Sequence, residues 1–249
     1  MGSDPVTVVA NSVHRHDQSI DLEPADTCSR LELCRWINYN SRMIRNILFT
    51  DKAHFTRDVV NNTRNSHLRD RDNPHGTVES NYQHRFSVNV WLGVIGDQLI
   101  GPYIFPQRLT GDIYATFLQD ELPALLENVS LQTRRQMYYQ YDRPLPHFIQ
   151  VIRQYLKHKF PIRWIGRGGA QNWPPRSPDQ NPLGYHVWGY IKAMVYVHKV
   201  NTREELLQRI LSAARSINNA AVLCKVTSSL VTRVRKCIQA DGGHFEHFA

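Results

Sequence analysis

Short apolar runs alternate with helical patterns along most of the chain. Runs of strand length predict six strands, at Ile47–Asp51, Lys52–Val60, Phe86–Gly96, Gln98–Phe105, Gln136–Tyr141 and Ile162–Ile165. Apolar residues three or four positions apart predict six helices, at Asp26–Asn40, Ile113–Asn128, His147–Phe160, Pro182–Val195, Thr202–Ile217 and Ala220–Ile238. The first two strands are expected to form a hairpin. Along the chain, strands come first, βα units follow and helices come last. This order indicates an α/β domain with a C-terminal helical extension.

Polar stretches without periodicity separate the regular segments. Residues 1–25 predict a loose N-terminal arm, and Asn61–His84 predicts a long surface excursion. We therefore divide the 249 residues into the arm at 1–25, a core at 26–200, and a helical extension and tail at 201–249. No apolar stretch approaches the roughly 18 residues of a membrane span, so we expect no membrane partner.

The four cysteines are Cys28, Cys34, Cys224 and Cys237. Their wide spacing gives no C-x-x-C pair and no zinc pattern, which favours free thiols in a reducing compartment.

Positive charge is the next feature, because the chain has 30 Lys and Arg against 22 Asp and Glu and a net charge of +8. Much of it lies in two segments. Thr133–Arg167 has eight basic residues and one acidic residue, and Arg203–Lys236 has seven basic and two acidic residues. Two such segments fit DNA, since affinity for phosphates scales with the number of Lys and Arg contacts, although a solvated basic face is the alternative.

The first basic segment supplies the candidate DNA-binding residues. They are Arg134, Arg135, Arg143, Arg153, Lys157, Lys159, Arg163 and Arg167. Trp164, Trp173 and Trp188 could stack on bases, but packing in the core explains them more simply. The word Gly166-Arg167-Gly168-Gly169 lacks the lysine and the helix start of a nucleotide-binding loop.

Two aspartates, Asp51 and Asp142, each follow an apolar strand. Carboxylates at neighbouring strand ends can converge on Mg²⁺ or Mn²⁺, although a single strand-end aspartate more often caps a turn.

The sequence motifs around these aspartates resemble those of the mariner-type DDE/D transposases. The first acidic motif corresponds to Ile47–Phe55, the second to Tyr139–Phe148 and the third to Trp173–Gly189. Val88–Gly96 is similar to the strand that follows the first motif, and Asp241–His247 is similar to the tail of the arthropod-type branch.

This resemblance implies an RNase H-like fold, a mixed sheet flanked by helices, in which three acidic residues hold two divalent metals. Asp51 and Asp142 would be the catalytic metal ligands, and the ion would be Mg²⁺ or Mn²⁺. The third acidic position, fixed by the word Ser177-Pro178-Asp179, is Gly184, which has no ligand atom. Glycine also has a cost within a helix, and the sequence gives no structural reason for it there.

Further departures accompany Gly184. Arg143 stands where a small residue normally follows the second aspartate, and Leu145 stands where a proline is usual. Lys52 adds a positive charge next to Asp51. Asp179 could act as a substitute ligand, but we expect it to cap the following helix.

The resulting hypothesis is a transposable-element-derived protein that binds DNA non-specifically and is catalytically impaired. A still-active nuclease or transposase using Asp179, and a non-catalytic protein-interaction relic, are the alternatives. Residues 1–25 are too short for the helix-turn-helix domain that precedes the core in the family, so we expect no sequence-specific recognition. The resemblance also implies a nuclear location and allows a homodimer.

Overall fold

Five strands form one mixed sheet at the centre of the fold. The computed structural model describes residues 22–57, 86–141 and 149–246. The strands are β1 (Ile47–Thr56), β2 (Ser87–Ile95), β3 (Gln98–Phe105), β4 (Tyr138–Tyr141) and β5 (Trp164–Gly166). Their order across the sheet is β3-β2-β1-β4-β5. β1, β2 and β3 are antiparallel neighbours, whereas β4 and β5 are parallel to β1.

The helices cover both faces of this sheet. They are α1 (Pro24–Tyr39), α2 (Gly111–Thr116), α3 (Leu122–Leu125), α4 (Leu131–Gln136), α5 (Ile149–Lys159), α6 (Trp188–Val195), α7 (Arg203–Ile217) and α8 (Ala220–Gln239). A π-helical turn at Phe117–Glu121 joins α2 to α3, and another at Leu183–Val187 leads into α6. A 3-10 helix at Ser41–Asn46 leads into β1, and another at Pro178–Gln180 precedes the second π-helical turn. None of the helices in the described part of the chain is long and apolar enough to span a membrane.

Apolar side chains on the two faces of the sheet pack into separate clusters. On one face, Leu48 and Tyr139 pack with the buried residues of α2 and α5. On the other face, Phe55 and Leu92 pack with the π-helical turn at Leu183–Val187, with α6 and with α7. A third cluster joins α1 and α8 to the start of β1. The predicted α/β class, with a mixed sheet flanked by helices, is confirmed.

The predicted hairpin within 47–60 is wrong. β1 runs without a turn through Asp51 and Lys52, and all its residues from Phe49 to Thr56 pair with β2. No glycine, proline or asparagine interrupts this stretch, so the chain has no local reason to reverse at Asp51. Asp51 therefore lies inside a strand and not at its end.

Sequence patterns placed most other elements within a few residues. The exception is α4, whose residues were not predicted as a helix and of which none is buried. Its start is fixed by a cap, in which Ser130 Oγ accepts a hydrogen bond of 3.1 Å from the amide of Thr133. An exposed helix held by its cap leaves no apolar periodicity to detect. Residues 1–21 of the predicted arm at 1–25 and the excursion at 61–84 lie outside the described residues. The end of the predicted arm is wrong, because Pro24 and Ala25 already belong to α1.

Candidate active site

Asp51 lies where β1 leaves its parallel neighbour. The ladder between β1 and β4 pairs Ile47 with Tyr138 and Leu48 with Tyr139, and β1 then continues. Side chains alternate along a strand, so Asp51 shares the sheet face of Phe49. The second predicted ligand, Asp142, and its neighbours Arg143 and Leu145 lie outside the described residues.

Donors from β1 and from α6 hold the Asp51 carboxylate. Oδ1 accepts a hydrogen bond of 2.7 Å from the amide of Lys52, and Oδ2 accepts one of 3.0 Å from the indole Nε1 of Trp188. Trp188 is 6% exposed and packs edge-on against Phe55, with 6.0 Å between the ring centres. The carboxylate is therefore oriented by a rigid side chain from the third motif.

Thr50 joins the three motifs immediately before Asp51. Its amide donates to Gln140 Oε1 at 2.8 Å, and its hydroxyl donates to the Gln140 carbonyl at 2.7 Å. Its own carbonyl accepts a hydrogen bond of 3.2 Å from Asn181 Nδ2. Both Gln140 and Asn181 are buried, so these bonds fix β1, β4 and the third-motif loop relative to one another.

Gly184 occupies a position where the backbone is too close for a side chain. It lies in the π-helical turn, four residues before Trp188, so it is on the side of the helix that approaches Asp51. An ideal Cβ at this residue would lie closer than 3.0 Å to the carbonyl oxygen of Pro178. The expectation that nothing structural favours glycine here is wrong, because this close approach requires it.

Asp179 is engaged elsewhere. Both of its carboxylate oxygens accept hydrogen bonds from Arg30, Oδ1 from Nη1 at 2.8 Å and Oδ2 from Nη2 at 2.6 Å. Arg30 is fully buried, and its Nε donates to the Gly242 carbonyl at 2.7 Å. The predicted helix-capping role of Asp179 is wrong. Asn181 performs it, since its Oδ1 accepts from the amide of Leu183 at 3.0 Å.

The ion pair between Arg30 and Asp179 lies next to Cys34 and Cys237. The spacing of the cysteines in the sequence did not predict that these two are neighbours. Gln180 Nε2 lies 3.2 Å from the sulfur of Cys34 and 3.3 Å from that of Cys237. A hydrogen bond between the two thiols raises the pKa of Cys34 and lowers the pKa of Cys237. All four cysteines are free, as predicted.

Lys52 lies on the opposite sheet face from Asp51. Its ammonium group is 4.7 Å from the ring centre of Tyr114, which belongs to the cluster of α2. The Lys52 ammonium group therefore contacts the cluster on the other face, whereas the Lys52 amide contacts Asp51.

The described residues do not fit a two-metal centre. Within residues 22–57, 86–141 and 149–246, no three His, Cys, Asp or Glu side chains come together as metal ligands. Position 184 offers no ligand atom, and Asp179 is bound to Arg30. Of the three family positions, Asp51 is the carboxylate that the described residues supply, since Asp142 lies outside them and position 184 has no ligand atom.

Seven of the eight predicted DNA-binding residues can be located, and Arg143 lies outside the described part. Five are exposed: Arg134, Arg135, Lys157, Lys159 and Arg167. Arg153 and Arg163 are half-buried. None of the seven takes part in an ion pair with a described residue.

The second basic segment is less available for DNA. Arg209 binds Glu205 at 2.6 Å, and Arg233 binds Glu246 at 2.8 Å. Arg209 and Arg233 also donate to backbone carbonyl groups. These two residues hold the helices together, so the first segment is the stronger candidate for contacts with phosphates.

The chain is similar to known proteins in sequence and in fold. No protein-family model matches the chain. The transposable element Tc3 transposase of Caenorhabditis elegans is 27% identical over 158 residues, which are 63% of this chain and 44% of that protein. The aligned region thus spans less than half the length of the relative.

Solved structures share the fold. The Mos1 transposase catalytic domain with Raltegravir and Mn has a TM-score of 0.67 at 14% identity, over 90% of this chain and 98% of that one. The Mos1 mariner paired end complex with Mn has a TM-score of 0.68 at 14% identity, over 96% of this chain and 71% of that one. The chain is similar in sequence to the Tc3 transposase and in fold to the Mos1 mariner transposase. Its fold is that of the RNase H-like catalytic core of Mos1.

Sequence reasoning missed the residues that support the mariner-type motifs. Arg30 precedes Leu33, Cys34 and Ile37 by three, four and seven positions, so it lies on the buried stripe of α1. An arginine on such a stripe signals a buried acidic partner. Asn181 directly precedes a proline at a helix start, which is a capping signal. Thr50 and Gln140 carry no comparable signal, because their bonds depend on the meeting of two distant strands.

Proposed function

We propose that this protein binds DNA through phosphate contacts and derives from a metal-dependent DNA strand cleavage and transfer enzyme whose catalysis is impaired. The observation that carries the proposal is the packing of Gly184. Its backbone contacts the Pro178 carbonyl so closely that the loop is fitted to a residue without a side chain. A carboxylate at this position would require the loop to move.

The engagement of Asp179 supports the loss of catalysis. A bidentate pair with a buried guanidinium is a strong, geometrically defined interaction, and a carboxylate held in this way is poorly available to a metal. Releasing Asp179 would leave the Arg30 charge buried without compensation, which is costly. The alternative of Asp179 as a substitute ligand therefore has an energetic obstacle.

The distribution of charge supports DNA as the partner. The exposed basic residues of the first segment have no acidic partners among the described residues, so their charges are available to phosphates. The paired end complex of Mos1 shares the fold. Contacts of this type do not depend on base sequence. We propose a nuclear location on the same ground, since chromosomal DNA is the intended partner.

Nicking of supercoiled plasmid with Mn²⁺ tests the catalytic part. We expect wild type and Asp51→Asn to nick at the same background rate. Asp51→Asn is the matched control because it removes a family ligand without changing the size of the side chain. A wild-type rate tenfold or more above that of the variant, which would correspond to about 1.4 kcal/mol of lost transition-state stabilisation, would contradict impairment.

Fluorescence anisotropy with two labelled duplexes of unrelated sequence tests the binding part. We expect similar dissociation constants for both duplexes. If six or more phosphates are contacted, affinity should fall by about 10³ or more between 50 and 200 mM salt. Absence of binding at the lower salt concentration, or an affinity independent of salt, would contradict phosphate-based DNA binding.

A further inference from the structure

The guanidinium of Arg153 packs against the backbone of Gly168. A Cβ added to Gly168 would lie 3.2 Å from Arg153 Cζ and 3.3 Å from both Nε and Nη2. The guanidinium therefore lies directly against the glycine backbone. Gly168 has a φ of +88°, a conformation that side chains other than hydrogen rarely adopt.

This guanidinium has no acceptor within the described residues. Arg153 Nε is buried without a hydrogen-bond partner, and the side chain forms no ion pair there. Within the guanidinium, Nε is buried without a partner in the described part of the chain, whereas Nη1 and Nη2 are not. The residue as a whole is half-buried. A partly desolvated positive charge without a partner is unfavourable, and an anion on its accessible side would compensate it.

Two backbone hydrogen bonds close the loop beneath Arg153. The amide of Gly169 donates to the Gly166 carbonyl at 2.8 Å, and the amide of Gly166 donates to the Gln171 carbonyl at 2.9 Å. The loop directly follows β5, which is parallel to β4, and β4 is parallel to β1. The loop therefore lies at the edge of the sheet where the parallel strands end. β1 runs towards this same edge as it passes through Asp51.

The surroundings of Arg153 are positive. Arg167 is exposed in the same loop, and Lys157 is exposed one helical turn further along α5. The chain has no Asp or Glu between Ile149 and Gln171. An anion at this place meets cations from both the helix and the loop.

We propose that Arg153 and the Gly168 loop form a preformed seat for one phosphodiester group of the DNA backbone. This inference rests on the proposed DNA binding and adds a defined contact to it. The planar guanidinium is already oriented, so less conformational entropy is lost on binding than for an exposed lysine. Gly168 is part of the seat because any larger residue would displace the guanidinium.

Variants that separate charge from geometry test the seat by anisotropy with the same duplexes. Arg153→Gln should weaken DNA binding about five- to tenfold and lower the salt slope by about one. Arg35→Gln removes the same charge from an exposed site on α1 outside the basic segments, and we expect less than a twofold change. Arg153→Lys should not restore wild-type affinity, and Gly168→Ala should weaken binding without any change of charge.

A spectroscopic measurement on the wild type covers variants that fail to fold. The Nε–H signal of Arg153 in a ¹⁵N-labelled protein, assigned by its loss in Arg153→Lys or by sequential experiments, should shift on addition of duplex DNA. An unchanged signal, or equal losses of affinity in Arg153→Gln and Arg35→Gln, would overturn the seat while leaving the proposed function intact. If the wild type does not bind DNA, the proposed function fails and the seat fails with it.

Discussion

Trp188 Nε1 donates a hydrogen bond of 3.0 Å to Asp51 Oδ2 and so connects the first acidic motif to the helix of the third. A bond to a charged acceptor at a largely buried site contributes about 1.5–3 kcal/mol. The indole thereby fixes one oxygen of the aspartate that the family resemblance assigns to a metal.

We predict that Trp188→Phe and Asp51→Asn are energetically coupled. Each variant alone should lower the free energy of unfolding, because each removes or weakens the bond between the indole and the carboxylate. In the double variant the combined loss should be smaller than the sum of the single losses by about 1–2 kcal/mol. Urea unfolding of all four proteins measures this coupling, and strictly additive losses would show that the bond contributes nothing to stability.

Gly184→Ala should lower the free energy of unfolding by about 1–3 kcal/mol, although alanine is the better helix former. The reason is the contact between the new methyl group and the Pro178 carbonyl. Gly189→Ala, in α6, is the matched control and should be neutral or stabilising. Thermal and urea unfolding of both variants give the comparison. A stabilised Gly184→Ala protein would refute the close approach.

Gly184→Asp tests whether restoring the family's third carboxylate also restores activity. We expect destabilisation at least as large as in Gly184→Ala, and no gain of Mn²⁺-dependent nicking, because the loop cannot accept the side chain in its present position. Circular dichroism establishes that the variant is folded before nicking is measured. Clear nicking by a folded Gly184→Asp protein would show that the loop adapts.

Arg30→Met should be among the most destabilising single changes, with a loss of about 3–5 kcal/mol. It leaves the Asp179 carboxylate, which is 14% exposed, without its partner. Glu23→Gln is the control, because it removes the charge of a carboxylate that is 66% exposed and pairs with Arg176. Loss of that surface ion pair should lower the free energy of unfolding much less than loss of Arg30. Similar losses for the two variants in urea unfolding would contradict a special role of Arg30.

Tyr185 gives a prediction for alkaline pH. Burial raises the pKa of Tyr185 to about 12, and its hydroxyl donates to the Val226 carbonyl at 2.7 Å. The neutral hydroxyl is favoured in the folded state, so its stabilising effect is complete below the unfolded pKa of about 10 and is lost as pH rises through 12. At neutral pH, Tyr185→Phe should cost about 1 kcal/mol. The difference from wild type in urea unfolding should shrink between pH 10 and 12, and a constant difference would be inconsistent with the raised pKa.

The sequence was sufficient for the architecture because apolar periodicity reports which side of each element is buried. Phe49 and Phe55 mark the same face of β1, and the buried stripe of α1 is evident from Leu33 and Ile37. The sequence Ser177-Pro178-Asp179 also fixed the register of the third motif, in which Gly184 precedes Trp188 by four residues.

The details of the site could not be predicted, because they depend on approaches between distant segments. The need for glycine at 184 is set by the position of the Pro178 carbonyl, which no local pattern encodes. The partner of Asp179 is a residue 149 positions away. The hairpin error at Asp51 has another origin, since a strand-end aspartate and a strand-interior aspartate look alike until the pairing with β2 is known.

Arg30 also constrains the order in which the protein can mature. It bonds to Asp179 and to the carbonyl of Gly242, so α1 is completed by a residue that is made 212 positions later. During synthesis, the third-motif loop cannot reach its final arrangement until Gly242 has left the ribosome. A nascent chain arrested before Gly242 should therefore be cut by protease within that loop, whereas the released chain should resist.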